Sequence, residues 1–204
     1  MHIVQVHAPG GPDALQLVQV PEPVPGPGTV RVRAHAIGVG RPDVLIRKGT
    51  YKWMPPLPAT PGAELAGVVD ALGPDVRDWQ IGDRVLVSAR ELPQRGGCYA
   101  QCMVVPQDAP FRLPDAIAFD DAVSLPNLQL ALALMRVAPL PKRQPAFALI
   151  TGASGGVAGM LCQVAQRAGY TVIGTSRTPT KASTPRPKAL TMCSARPRRR
   201  CARA

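Results

Sequence analysis

The 204 residues are enough for one large domain or two small ones, and 46% apolar content is ample for a core, although 4% aromatic residues make that core mostly aliphatic. The net charge of +11 invites a nucleic-acid reading, but residues 178–204 hold eight of the 24 Lys and Arg and no acid, leaving 16 basic against 13 acidic residues elsewhere. No apolar run approaches 18 residues and MHIVQVHAPGG has no basic-then-apolar leader, so neither a membrane span nor a signal peptide is expected; five cysteines without a paired framework fit a reducing cytoplasm.

Residues 2–6 and 15–20 alternate as paired strands around Pro9-Gly10-Gly11-Pro12. PEPVPGPG (21–28) is too proline-rich to join a ladder and predicts an extended connector. Thr29 to Val39 reads as a long strand with Val30, Val32, Ala34 and Ala36 on one face. Arg41 to Arg47 reads as a short helix opening at Pro42-Asp43, and Gly49 to Pro61 as a loop carrying Tyr51 and Trp53. Further strands are predicted at Glu64–Ala71, Arg84–Ser88 and Cys98–Val105, with turns at Gly73-Pro74 and Gly82-Asp83. So many short strands and turns predict a small barrel over residues 1–118.

After Pro114 the pattern changes. Phe119 to Ala138 is rich in Leu and Ala and predicts helices interrupted at Pro126. Phe147-Ala148-Leu149-Ile150 follows as a buried strand, then the turn Gly152-Ala153-Ser154-Gly155-Gly156. Val157, Met160, Leu161, Val164 and Ala165 recur at helical spacing, Gly169 stops the helix, and Tyr170 to Ile173 is a second strand. This strand, turn, helix, strand order is the first part of a doubly wound nucleotide-binding unit. Free N–H groups at a helix start hold a pyrophosphate, and glycines let the backbone approach it. Against G-x-G-x-x-G/A the segment reads Ala153-Ser154-Gly155-Gly156-Val157-Ala158: the first glycine is replaced and the last position uses the permitted alanine.

About 20 residues past the glycines an acid would hold the ribose hydroxyl of NAD. Here Ser176 and Arg177 stand there, with Lys181 close behind. A hydroxyl and two cations suit a 2′-phosphate, which predicts NADPH over NADH. Beyond about Ala182 the chain becomes STPRPKALTMCSARPRRRCARA, without acids or amphipathic period. Residues 183–204 are therefore expected to be a disordered basic tail, and 119–182 to be linking helices plus the first part of the nucleotide domain. The abrupt shift in composition suggests a truncated or frame-shifted reading of a longer gene. RPRRR (196–200) is an electrostatic feature, yet no aromatic residue interleaves the tail, so nucleic acid is not the expected partner.

These motifs, in this order, resemble the medium-chain dehydrogenase/reductase superfamily, in its zinc-independent quinone-oxidoreductase (zeta-crystallin-like) branch. The runs that carry the resemblance are residues 10–40, RPDVLIRKGTY (41–51), PGAELAGVVDALGPDVRDWQIGDRV (61–85), GGCYAQCMVVP (96–106), AVSLPNLQLAL (122–132) and 150–177. The resemblance implies a GroES-like barrel followed by a Rossmann domain, here incomplete. Substrate and nicotinamide would meet in the cleft between them. It implies NADPH-dependent hydride transfer to a quinone or other activated carbonyl or alkene, and homodimers. Zinc-dependent relatives need a Cys and a His near the positions of Gly40 and Ala63, and Cys98-x-x-x-Cys102 supplies only two ligands where a tetrahedral site needs four. No metal is expected.

The resemblance places Tyr51 in the substrate loop as a hydrogen-bond donor and Asp43 beside the nicotinamide, where capping the helix 43–47 is an equal reading. Glu64 matches a buried structural glutamate, and His2, His7 and His35 draw no catalytic role. Gly40 stands where the family has Asn, and Asn127 to Ala131 replace a run with Gly and Thr near the nicotinamide. The alternative is a catalytically inactive fragment whose basic tail binds nucleic acid or an acidic surface.

Overall fold

A computed structural model describes residues 1–90, 92–137 and 146–176, and the backbone of 191–194. The chain divides into two compact units, Met1–Ser124 and Leu125–Ala204.

In the first unit, β1 (His2–Val6) and β2 (Leu15–Gln19) form an antiparallel hairpin, and a five-stranded antiparallel sheet runs in the order β6-β3-β4-β5-β7. Its strands are β3 (Thr29–Gly38), β4 (Glu64–Leu72), β5 (Arg84–Ser88), β6 (Cys102–Pro106) and β7 (Pro110–Arg112). The period-two pattern explains the packing: Val30, Val32, Leu65, Val69, Val85, Val87 and Val105 turn inward into one aliphatic core with Trp79, Ala89 and Cys98. The expected barrel is instead an open sheet. Closure needs the outermost strands to pair, and β6 and β7 stand at opposite ends of the strand order.

Register irregularities between Arg31 and Val32 and between Ala34 and Ala36 bend β3 across β4. Gly67 permits that close crossing, because a Cβ there would lie 1.9 Å from the Arg33 carbonyl oxygen. The proline-rich connector is tied to β3 by charge: the Nε groups of Arg31 and Arg33 each donate to one Asp70 oxygen, at 2.8 and 2.7 Å, and both guanidiniums reach Glu22. The strand predicted from Cys98 begins at Cys102. Residues 98–101 run beside the hairpin through an isolated Ile3–Ala100 bridge, because Val4 and Ala34 take the Tyr99 and Gln101 carbonyls. Short helices α1 (Arg41–Arg47) and α2 (Phe119–Ala122) complete the unit.

In the second unit α3 (Leu125–Val137) contains Pro126 without interruption. Pro126 sits in the first turn, where no intrahelical N–H is needed. The βαβ element follows as β8 (Phe147–Ile150), α4 (Gly156–Arg167) and β9 (Thr171–Ser176), with β8 and β9 parallel. Ile150, Ala153, Cys162, Ala165 and Val172 form its buried core. Within 183–204 only Thr191–Ser194 are described, and they form β10, parallel to β9. The open edge of β9 presents unpaired N–H and C=O groups, and a short strand satisfies them. Arg177, Lys181 and RPRRR (196–200) lie outside the described residues.

Candidate functional site

The glycine turn of the second unit is built by three local constraints. Gly152 takes φ +68°, which a β-carbon disfavours. Ala153 is buried and its N–H donates to the Thr175 carbonyl at 2.9 Å, pinning the turn to the end of β9. Gly155 then donates to the Gly152 carbonyl at 2.8 Å and becomes the N-cap of α4. A glycine cap has no side chain to accept from the first turn, and that turn holds no acid. The N–H groups of Gly156, Val157 and Ala158 therefore have no intrahelical or capping partner, at the positive end of the helix dipole. Ser154, Gly155 and Gly156 are exposed, while Val157 is half-buried.

Space at the turn is as tight as its chemistry is open. A Cβ on Gly156 would lie 3.2 Å from Asn127 Nδ2 on α3, and one on Gly155 would lie 3.2 Å from the Gly152 carbonyl oxygen. Ser176, expected at the ribose end, is buried, with its hydroxyl 3.5 Å from that of Ser154. This cradle of uncapped N–H groups, bare backbone and an exposed hydroxyl fits a dinucleotide phosphate.

The first unit holds a different kind of polar cluster. Asp43, in the first turn of α1, is 5% exposed. Its Oδ2 accepts from the Gly40 N–H at 2.7 Å and its Oδ1 from the Gly62 N–H at 3.0 Å. The Tyr99 phenol bonds the same carboxylate; burial first, then that negative charge and bond, push the phenol far above its usual range. Glu64 is equally buried and pairs through Oε1 with Arg90 at 2.8 Å. Burial raises the Glu64 carboxyl above its ordinary value, Arg90 opposes this, and Asp43 adds to it. Sequence reasoning singled out Asp43 but missed Tyr99 and Arg90, which lie far along the chain with no motif linking them.

Tyr51 lies half-buried in the loop after α1, its ring 5.7 Å from that of Trp53 and edge-on at 70°. Among the described residues no group of three or more His, Cys, Asp or Glu could hold a metal ion. Burial, helped by the charges of Glu64 and Asp43, pushes the Cys98 thiol up to about 12, so it stays a thiol at neutral pH. The Cys98 and Cys102 sulfurs instead lie near the thioethers of Met103 and Met1, at 3.8 and 3.3 Å. Among the described residues no helix is long and apolar enough to cross a membrane.

Comparison with known proteins places both units. Residues 26–115 match the alcohol dehydrogenase GroES-like domain. The pig quinone oxidoreductase is 35% identical over 181 residues, 87% of this chain and 53% of the relative. The structure of human synaptic vesicle membrane protein VAT-1 homolog-like protein superposes with a TM-score of 0.83 at 28% identity, covering 96% of this chain and 61% of that one. Escherichia coli quinone oxidoreductase, solved in complex with NADPH, superposes with a TM-score of 0.77 at 34% identity, covering 89% and 54%. The chain spans about half the length of the curated relatives it matches. Over that span its sequence and its fold are similar to those of quinone oxidoreductases, with the alcohol dehydrogenase GroES-like domain matched in the first unit.

Proposed function

We propose that this chain is an NADPH-dependent oxidoreductase that passes hydride to a quinone or another activated carbonyl or alkene without zinc. The observation that carries the reading is the uncapped start of α4 behind an exposed glycine turn. Its support is the similarity to quinone oxidoreductases, one of them solved with NADPH. The N–H groups of Gly156 and Val157 hold the pyrophosphate, and Ala153 and Gly155 shape the turn that presents them. Ser154 donates its hydroxyl to the phosphate, with Ser176 beneath it. Arg177 and Lys181 follow β9 in sequence and take the 2′-phosphate. When bound, the cofactor supplies the hydride.

On the acceptor side Tyr51 donates its phenolic O–H to the oxygen on which negative charge develops. Asp43 has its oxygens committed to Gly40, Gly62 and Tyr99, so it serves as a positioning residue that fixes the start of α1 and the loop leading to Tyr51. Gly40 and Ala63 offer no ligand atoms where zinc-dependent relatives carry them. In line with the family the sequence resembles, the proposed partner is a small-molecule acceptor and the proposed assembly a cytoplasmic homodimer.

Calorimetric titration of the 1–204 chain with NADPH, and with NADH alongside, tests this reading. NADPH binding at least about tenfold tighter than NADH is expected, since a 2′-phosphate contributes charge-assisted bonds. A folded chain that binds neither nucleotide overturns it.

A further inference from the structure

The loop after α1 carries an uncommon surface. Residues 41–61 contain Arg41, Arg47, Lys48 and Lys52 against the single acid Asp43, which is buried and bonded. Trp53 stands 53% exposed, whereas Trp79, the other tryptophan, is 8% exposed and anchored through its Nε1 to the Gln107 carbonyl. Lys52 Nζ lies 5.3 Å and the Arg95 guanidinium carbon 5.2 Å from the Trp53 ring centre, both within cation–π range. Tyr51 meets the same ring edge-on. Among the described residues no carboxylate pairs with Lys52 or Arg95.

The surface is held in place from beneath. The Gly97 N–H donates to the Thr60 carbonyl at 2.8 Å and the Tyr99 N–H to the Pro61 carbonyl at 2.9 Å, which joins the Arg95 segment to the Trp53 loop. Val6 and Ala59 exchange both backbone bonds, and prolines at 55, 56, 58 and 61 restrict the loop further. An indole beside two cations that no carboxylate among the described residues pairs with is preorganised for a flat ring bearing negative charge.

We infer that Trp53, Lys52 and Arg95 bind the acceptor as a planar aromatic molecule carrying an anionic substituent, a carboxylate or sulfonate. This rests on the reading of the chain as a reductase of quinone-like acceptors, and names their class. The ring packs on Trp53 beside Tyr51, and the anionic group takes the two cations.

The test is binding of anthraquinone-2-sulfonate to the 1–204 chain without nucleotide, followed by calorimetry and tryptophan fluorescence, with 2-(hydroxymethyl)anthraquinone as the uncharged comparison. The sulfonate is expected to bind at least about tenfold more tightly, and less tightly at high salt. The double variant Lys52→Gln/Arg95→Gln should raise its Kd about tenfold and leave the uncharged quinone within about twofold. Trp53→Leu should weaken both. Equal affinity for the two quinones overturns the inference. So does an unchanged sulfonate Kd in the double variant with wild-type circular dichroism, which would assign the binding to the basic tail. The nucleotide titration is independent: a chain that binds no NADPH but keeps the charge-dependent quinone binding loses the reductase reading and keeps this surface.

Discussion

The two polar clusters of this chain differ in what they leave undone. Around Asp43 the carboxylates find partners inside the protein: Gly40, Gly62 and Tyr99 converge on Asp43, and Arg90 pairs with one oxygen of Glu64. At the glycine turn the backbone is equally well pinned, through Ala153 to Thr175 and Gly155 to Gly152, yet the first N–H groups of α4 meet neither a cap nor an acid. A buried polar group with its bonds complete is held for the fold, because leaving any of them unmade is costly. A pinned backbone with unspent donors at an exposed helix end is arranged for something outside the chain. The contrast supports the roles proposed above, positioning for Asp43 and binding for the turn.

Asp43→Ala should break the contrast most severely. It strands two backbone N–H groups and the Tyr99 hydroxyl in a buried place, and should cost about 3 kcal/mol of stability in urea unfolding followed by far-UV circular dichroism. Asp43 would be a direct participant in the reaction, and no mere support, if stability held while turnover vanished. Gly156→Ala should act in the opposite sense. The new Cβ meets only the end of the Asn127 side chain, which can rotate aside, so unfolding should move by no more than about 0.5 kcal/mol. The same methyl stands where a phosphate must approach, and the NADPH Kd should rise by about tenfold or more. Unchanged affinity would mean the cofactor lies elsewhere.

How far each region could be read in advance follows from the range of its contacts. The glycine turn is local: strand, glycines and helix occupy some 30 consecutive residues, the usual extent of such a unit, and β8, α4 and β9 lie where hydrophobic period and turn residues place them. Strand β3 was legible for the same reason, since Val30 and Val32 alternate with Arg31 and Arg33. The open sheet was not, because closure depends on which distant strands pair at β6 and β7 and no local pattern records it. Nor was β10, whose Thr191–Ser194 joins the sheet through backbone bonds at the edge of β9. The partners of Asp43 escaped likewise: Gly62 and Tyr99 reach it through tertiary folding, and only the bond to Gly40 follows a capping pattern.

A smaller effect sharpens the account of the buried acids. In the folded chain the Glu64 carboxyl is raised above its reference value of 4.5, burial outweighing the opposing charge of Arg90. Between 4.5 and the folded value, the native state then holds a proton that the unfolded chain has released. The contribution of this group to stability is therefore complete below pH 4.5 and declines as pH rises through the folded pKa. Glu64→Gln cannot titrate there. The stability difference, wild type minus Glu64→Gln, should be greatest at low pH, fall above 4.5 and then level off, which urea unfolding from pH 4 to 8 would measure. A difference that grows with pH would mean that the 2.8 Å pair with Arg90 outweighs desolvation. The cluster would then be held by charge pairing, and the saturation of Asp43 by backbone donors would be only part of what makes it rigid.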